Sequence, residues 1–392
     1  MNQAVLSIKN QGSERLRHRI AISVFFFAKG FTFASWASRI PHIQAKLQLG
    51  EAALGTILFA LPAGLMISLL ISGGLITRLG SKKTLLFAAL CYSTILVLLG
   101  TAQNAFQLAA GLFLFGFAGN LYNISVNSQA VMVEKLYGRS IMASFHGTWS
   151  LAGFTGAAVG LIIVSLGLLP WQHFVIAGLA GIILAIIFSS GTIQSVGEKK
   201  QTGFTLPDKK ILQLGFIAFG CLVCEGTMFD WSGVYFKKVV HAPANLTTLG
   251  YAAFMGCMAA GRFLADKAVM LIGPRRLLQH SGILITLGFL LSVSIPSVPM
   301  ATIGFMLVGF GVSSVVPIVY SLAGKNAKMN TGQAIAAVST VGFVGFLAGP
   351  PIIGFVAAAT SLRWSFALIG LIGLTTTLLA STLPKPDPQK QD

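Results

Sequence analysis

Apolar stretches of about 20 residues recur along the whole chain, each long enough to cross the hydrocarbon core of a bilayer as a helix. No water reaches the backbone there, so a spanning segment must satisfy its own peptide groups, and runs of this length do so as α-helices. Twelve spans are expected, near 20–40, 52–76, 84–101, 106–131, 140–165, 173–191, 211–236, 247–266, 277–295, 300–322, 332–358 and 364–383. Charged residues make up only 9% of the 392 and apolar ones 55%, against about 25% charged in an ordinary soluble domain. The mean hydropathy is +0.81. A water-soluble globule is excluded, and the fold class that follows is an all-α membrane protein.

The formal charge of +17 would suggest nucleic acid in a soluble chain, but topology accounts for it and no nucleic-acid partner is expected. With the N-terminus in the cytoplasm, twenty of the 27 basic residues fall in the tails and loops on that side. Five fall on the other: Arg39, Lys46, Lys237, Lys238 and Arg363. Cytoplasmic loops carry the excess of Lys and Arg, which places both termini in the cytoplasm. The remaining two, Lys29 and Arg262, lie within spans. A basic tail before an apolar run imitates a secretory signal, yet the first run is too long and lacks a small-residue cleavage site, so it reads as a retained first helix.

The longest interior polar segment, from Thr192 to Lys210, divides the spans six and six and reads as a flexible, charged linker. The expected organisation is an N-terminal six-helix bundle over 1–192, a cytoplasmic linker over 193–210 and a C-terminal bundle over 211–392. The halves repeat. Trp36 matches Trp231, Leu54-Gly55 matches Leu249-Gly250, Gly160 matches Gly354, and Leu169-Pro170-Trp171 matches Leu362-Arg363-Trp364, at offsets of 193 to 195 residues. A duplicated six-helix unit explains so narrow a range of offsets. Cys221 and Cys224 form a C-x-x-C inside an apolar span with no second pair or nearby His, so neither metal nor redox chemistry is expected there. The sequon Asn245-Leu246-Thr247 lies in too short a loop to be read as more than chance.

The segment after the second span, Gly73-Gly74-Leu75-Ile76-Thr77-Arg78-Leu79-Gly80-Ser81-Lys82-Lys83, resembles the cytoplasmic signature of the major facilitator superfamily: glycines, an acid, a basic residue, a glycine and further basic residues. Thr77 stands where that family usually has Asp. The second-half counterpart, Asp266 to Arg276, is more degenerate. The resemblance covers nearly the whole chain and implies two pseudo-symmetric bundles of six helices. Within the superfamily the chain is similar to a bacterial branch that includes fucose permease and inner-membrane proteins of unassigned substrate. That similarity rests on the first span, Ser144 to Gly153, Glu225 to Trp231, and Gly261-Arg262-Phe263. It implies proton-coupled uptake of a sugar. The fifth span lacks the Gly-Pro signature of drug exporters, and a similar string, Gly345 to Gly354, stands in the eleventh instead; close helix approach is an equally good reason for both glycine ladders.

Of ten acids only Glu225 and Asp230 lie well inside a span. A carboxylate at the centre of a membrane helix costs about 3 kcal/mol on insertion scales, so such a residue marks a functional site by default. The two are five residues apart, about 7.5 Å along the axis and roughly 140° around it, so they do not share one proton. Glu225, the deeper, is the expected proton carrier, and Asp230 the expected substrate contact or helix partner. Lys29 occupies nearly the position in span 1 that Glu225 occupies in span 7, so one of these acids is its natural partner; snorkelling or backbone carbonyls could hold it instead. These three form the proton-coupling set. Asn120, Asn123 and Asn127 align on one face of span 4 and suit hydroxyl-rich substrates, or else hydrogen bonds between helices. His146 and Trp149 put a hydrogen-bonding group beside an aromatic plate, and Trp36, Trp231 and Tyr320 are further candidate walls. Arg78 is a gating candidate in the signature loop, and Arg262 with Asp266, four residues on, reads as a gating pair.

The class these features define is a secondary active transporter, not an enzyme, with no cofactor or metal. Its partners are a small-molecule solute, protons and the lipid bilayer, and it reads as a monomer of the bacterial inner (plasma) membrane. One charge crossing 100 mV is worth about 2.3 kcal/mol, enough for a roughly fiftyfold accumulation of a sugar or sugar derivative. The competing expectation is a proton-driven exporter of amphipathic compounds. A membrane-embedded enzyme would need clustered catalytic acids or histidines at one leaflet, and the sequence offers none.

Overall fold

The computed structural model describes residues 2–138, 141–194, 208–324 and 331–383, so most of the expected linker, 195–207, lies outside the described residues. The elements are helices: α1 (Asn2–Ala37), α2 (Ile40–Lys46), α3 (Glu51–Leu58), α4 (Ala60–Thr101), α5 (Ala105–Tyr137), α6 (Met142–Ser165), α7 (Pro170–Phe188), α8 (Lys209–Lys238), α9 (Leu249–Ser294), α10 (Val298–Ser313), α11 (Val315–Gly324), α12 (Thr331–Ala359) and α13 (Leu362–Ser381). Among the described residues ten helical stretches are long and apolar enough to cross a membrane, and two of these, Glu51–Thr101 and Ala244–Ser294, run to 51 residues each. At about 20 residues per crossing each of the two long stretches makes two spans, which restores the expected twelve.

Both long stretches break at a glycine. Gly80 in α4 has φ 80° and ψ 154°, and Gly273 in α9 has φ 79° and ψ 158°. That region of backbone space is essentially restricted to glycine, so the signature loop keeps Gly80 for steric reasons. Its second-half counterpart retains the same glycine although its other residues have drifted. Thr77, in the usual position of an acid, donates its hydroxyl to the Gly73 carbonyl of its own helix at 2.8 Å.

By internal packing the chain divides into two compact units, Met1–Ala37 with Ala60–Gln201, and Ser38–Phe59 with Thr202–Asp392. Within the first, α4 packs on α5 and α7, and α1 packs on α6 and α7. Within the second, α9 packs on α10 and α13, and α8 on α12 and α13. The same neighbour pattern therefore recurs in each, as expected of a duplication. Aromatic clusters hold each unit. Tyr92 stacks on Phe115 at 4.1 Å between ring centroids in the first, and Tyr235 on Phe366 at 4.2 Å in the second. Each cluster includes a tyrosine whose hydroxyl donates to a carbonyl at 2.8 Å: Tyr122 to Phe25, and Tyr235 to Ser292.

The assignment of 38–59 is the departure from the expected boundaries. This stretch contains α2 and α3 and packs on α8 and α12. A Cβ on Gly55 would lie 2.6 Å from the carbonyl oxygen of Pro350, and one on Gly354 2.6 Å from that of Glu51. Lys238 pairs with Glu51 at 2.6 Å. Small residues that let backbones meet are the adhesive available to helices in lipid, where apolar side chains gain little from one another. A pattern search along one chain cannot see such a seam, because its two glycines are 299 residues apart.

Candidate functional site

In the first unit the polar residues gather where α1, α5 and α6 meet. Lys29, near the middle of its span, donates from Nζ to Asn123 Oδ1 at 2.7 Å. Asn127 donates from Nδ2 to the Asn123 carbonyl at 2.8 Å and to the same Oδ1 at 3.3 Å. The ammonium has only donors, so it orients the Asn123 amide with the oxygen inward. Asn120, one turn earlier, is 4% exposed, and its Nδ2 has no acceptor among the described residues. The approach of α6 is set at Gly30, where a Cβ would lie 2.6 Å from the Trp149 carbonyl oxygen and 3.2 Å from its indole. One turn away Phe26 meets His146 edge-on at 5.4 Å. The structure thus brings Lys29, Asn120, Asn123, Asn127, His146 and Trp149 to one seam. Trp36 is placed elsewhere, 1% exposed and against Phe174 of α7.

In the second unit Glu225 is 5% exposed in α8, and Arg262 of α9 donates from Nη2 to its Oε1 at 3.4 Å. The expected i, i+4 pairing of Arg262 with Asp266 is replaced by this one. Asp266 is exposed on its helix, whereas Glu225 is buried, and an unpaired buried carboxylate costs far more than a hydrated one. The partner of Glu225 is therefore supplied by its own unit, as is that of Lys29; the sequence had offered Glu225 or Asp230, or else snorkelling or backbone carbonyls, for Lys29. Asp230 lies one and a half turns beyond Glu225, partly exposed, with no hydrogen bond or ion pair inside its unit among the described residues. Trp231 is 0% exposed, and Tyr320 of α11 accepts a hydrogen bond from Ser339 of α12 at 2.9 Å. Arg78 is exposed, two residues before the Gly80 break. The thiols of Cys221 and Cys224 point apart, to the carbonyls of Val312 and Ile369.

Sequence reasoning missed the residues that tie the helix ends. Glu134 accepts from the backbone amides of Ile141 and Met142 at 2.8 Å each, capping α6. Gln129 donates to Ser81 and to the Ile193 carbonyl at 2.8 Å, and His18 bonds the Gly191 carbonyl at 2.7 Å. Glu134 had a readable signal, an acid just ahead of a helix start; the other three contacts span 48 to 173 residues and have none. A cavity between α1 and α6 lined by Leu16, Arg19, Ile20, Ser23, Val24, Phe27 and Thr148 holds none of the buried charges.

Two units of repeated helix packing, each carrying charge inside its spans, define a multi-pass membrane transporter whose cargo is a small-molecule solute. The Major Facilitator Superfamily profile matches residues 20–268 and again 215–392. The chain belongs to that superfamily. It is 32% identical over 371 residues to an uncharacterized MFS-type transporter of Yersinia pestis, covering 94% of this chain and 97% of that one. It is 33% identical over 367 residues to an uncharacterized transporter of Sinorhizobium fredii, covering 92% and 97%. The crystal structure of the nucleoside transporter NupG (a D323A mutant) superposes with a TM-score of 0.76 at 13% identity, covering 94% of this chain and all of that one. At that identity the likeness is one of fold.

Proposed function

We propose that the protein is a proton-coupled importer of a small polar solute, a sugar or sugar derivative, working by alternating access in the bacterial inner membrane as a monomer with both termini in the cytoplasm. The observation that carries this reading is the Glu225–Arg262 pair, a carboxylate buried in a span and held at 3.4 Å by one guanidinium. Protonating Glu225 removes the charge on its side of the pair and weakens that one contact with Arg262, so proton loading biases the packing of α8 against α9, which is what a two-state coupling element requires. Asp230 and Lys29 complete the coupling set. In the first unit the amides of Asn120, Asn123 and Asn127, with His146 and Trp149 beside them, suit hydroxyls and the C–H faces of a sugar. Arg78, Arg262 and Asp266 serve gating.

Reconstitution into proteoliposomes tests the coupling. An inward proton gradient is expected to drive uptake of a radiolabelled hexose or hexose derivative by the wild type, and Glu225→Gln to abolish gradient-driven accumulation while leaving exchange down a solute gradient. Accumulation by Glu225→Gln equal to wild type would refute the role given to Glu225. Transport of lipophilic compounds alone would turn the reading to export.

A further inference from the structure

Two basic residues lie within spans, and their surroundings differ. Arg262 faces a carboxylate. Lys29 faces a neutral amide oxygen. The acids of its unit are Glu14, Glu134 and Glu198. Glu14 is exposed beside His18, Glu134 is spent on two backbone amides, and Glu198 lies outside the described residues. By sequence all three lie at or beyond the ends of the apolar runs, so Lys29 has no deeply embedded acid of its own unit to pair with. The hydrogen-bond inventory leans the same way. Asn123 Oδ1 is consumed by Lys29 and Asn127, and the buried amide nitrogen of Asn120 has no acceptor among the described residues. The Lys29 ammonium of α1 and the amide N–H groups of Asn120 and Asn123 on α5 form a surplus of donors, and the group that meets a surplus of donors beside an unbalanced charge is a carboxylate.

We infer that Lys29, Asn123 and Asn120 form a carboxylate subsite, and that the solute is a small anionic polyol, a sugar acid and not a neutral sugar. The inference rests on the proposed transport of a polar solute and narrows its class. Asn127 acts as a positioning residue, since its two bonds fix the Asn123 amide in the orientation that holds the ammonium.

Thermal stabilisation of the detergent-purified full chain by matched pairs tests it: glucuronate against glucose, galacturonate against galactose, gluconate against glucitol. Ligand that binds the folded state raises the melting temperature by mass action. The acids are expected to stabilise and their neutral partners not to. Lys29→Gln removes a charge-assisted bond and should weaken the acids about tenfold to a hundredfold. Should Lys29→Gln fail to fold, Asn123→Asp keeps the question open to test, because it sets a built-in carboxylate against the ammonium and should exclude the acids from a folded protein. Equal stabilisation by acid and neutral partner, unchanged in Lys29→Gln, would overturn the subsite while leaving sugar transport and the Glu225→Gln test standing. No shift with any acid would overturn it as well.

Discussion

At the scale of single residues the membrane charges behave as a problem of compensation. Arg262→Met should strand Glu225 as an uncompensated buried carboxylate, a loss of about 3–5 kcal/mol for a broken buried pair. The double variant Glu225→Gln/Arg262→Met should recover much of that. Melting temperatures of the three proteins in one detergent check this, and equal loss in the single and double variants would mean that the pair contributes nothing beyond its side chains' packing. Between the first two spans, His42 sits in α2 with Nδ1 buried and unbonded among the described residues. Burial first, and then the charges of Arg39 and Lys237, push its pKa down from 6.5 to about 4. Above pH 6.5 the imidazole is neutral folded or unfolded and contributes no pH dependence. As pH falls from about 6.5 to about 4 the unfolded chain takes up a proton that the folded one refuses, so stability is lost across that window. His42→Gln should flatten the fall in melting temperature between pH 7 and pH 4, and a slope identical to wild type would contradict this account.

At the scale of elements, helices were legible and their joints were not. The 20-residue apolar period locates the spans because lipid leaves a backbone no other solution, and the twelve expected spans match the helices even where α4 and α9 run through two of them. The joints depend on single backbone conformations. Gly80→Ala forces a side chain into φ 80° and should cost about 1–3 kcal/mol. Gly74→Ala, at a helical position with nothing within 4 Å of the added Cβ, should be neutral or stabilise by up to about 1 kcal/mol. Opposite signs in thermal unfolding distinguish backbone strain from a general response to alanine. The prolines divide similarly. Pro62 and Pro317 fall in the first turns of α4 and α11, where the missing N–H is tolerated, while Pro350 and Pro351 lie inside α12 beside the seam with α3.

At the scale of the whole molecule the charge bias makes a prediction about topology. A phosphatase active only outside the cytoplasm should be active when fused in the loop at 102–104 and inactive when fused after residue 392, because the basic loops are retained in the cytoplasm; the reverse pattern would invert every assignment of side made from the loops. The sequence by itself determined the number of spans, the duplication and the short list of residues able to carry charge chemistry in lipid. These are local or periodic properties, dictated by the cost of bare peptide groups and bare charges in hydrocarbon. Tertiary structure alone decided which charge meets which group. Lys29 and Asn123 are 94 residues apart and Glu225 and Arg262 37 apart, and Gly55 touches Gly354 across 299. Those choices depend on which helix faces pack together, and apolar side chains that are interchangeable in lipid leave too little pattern along the chain to say which faces those are.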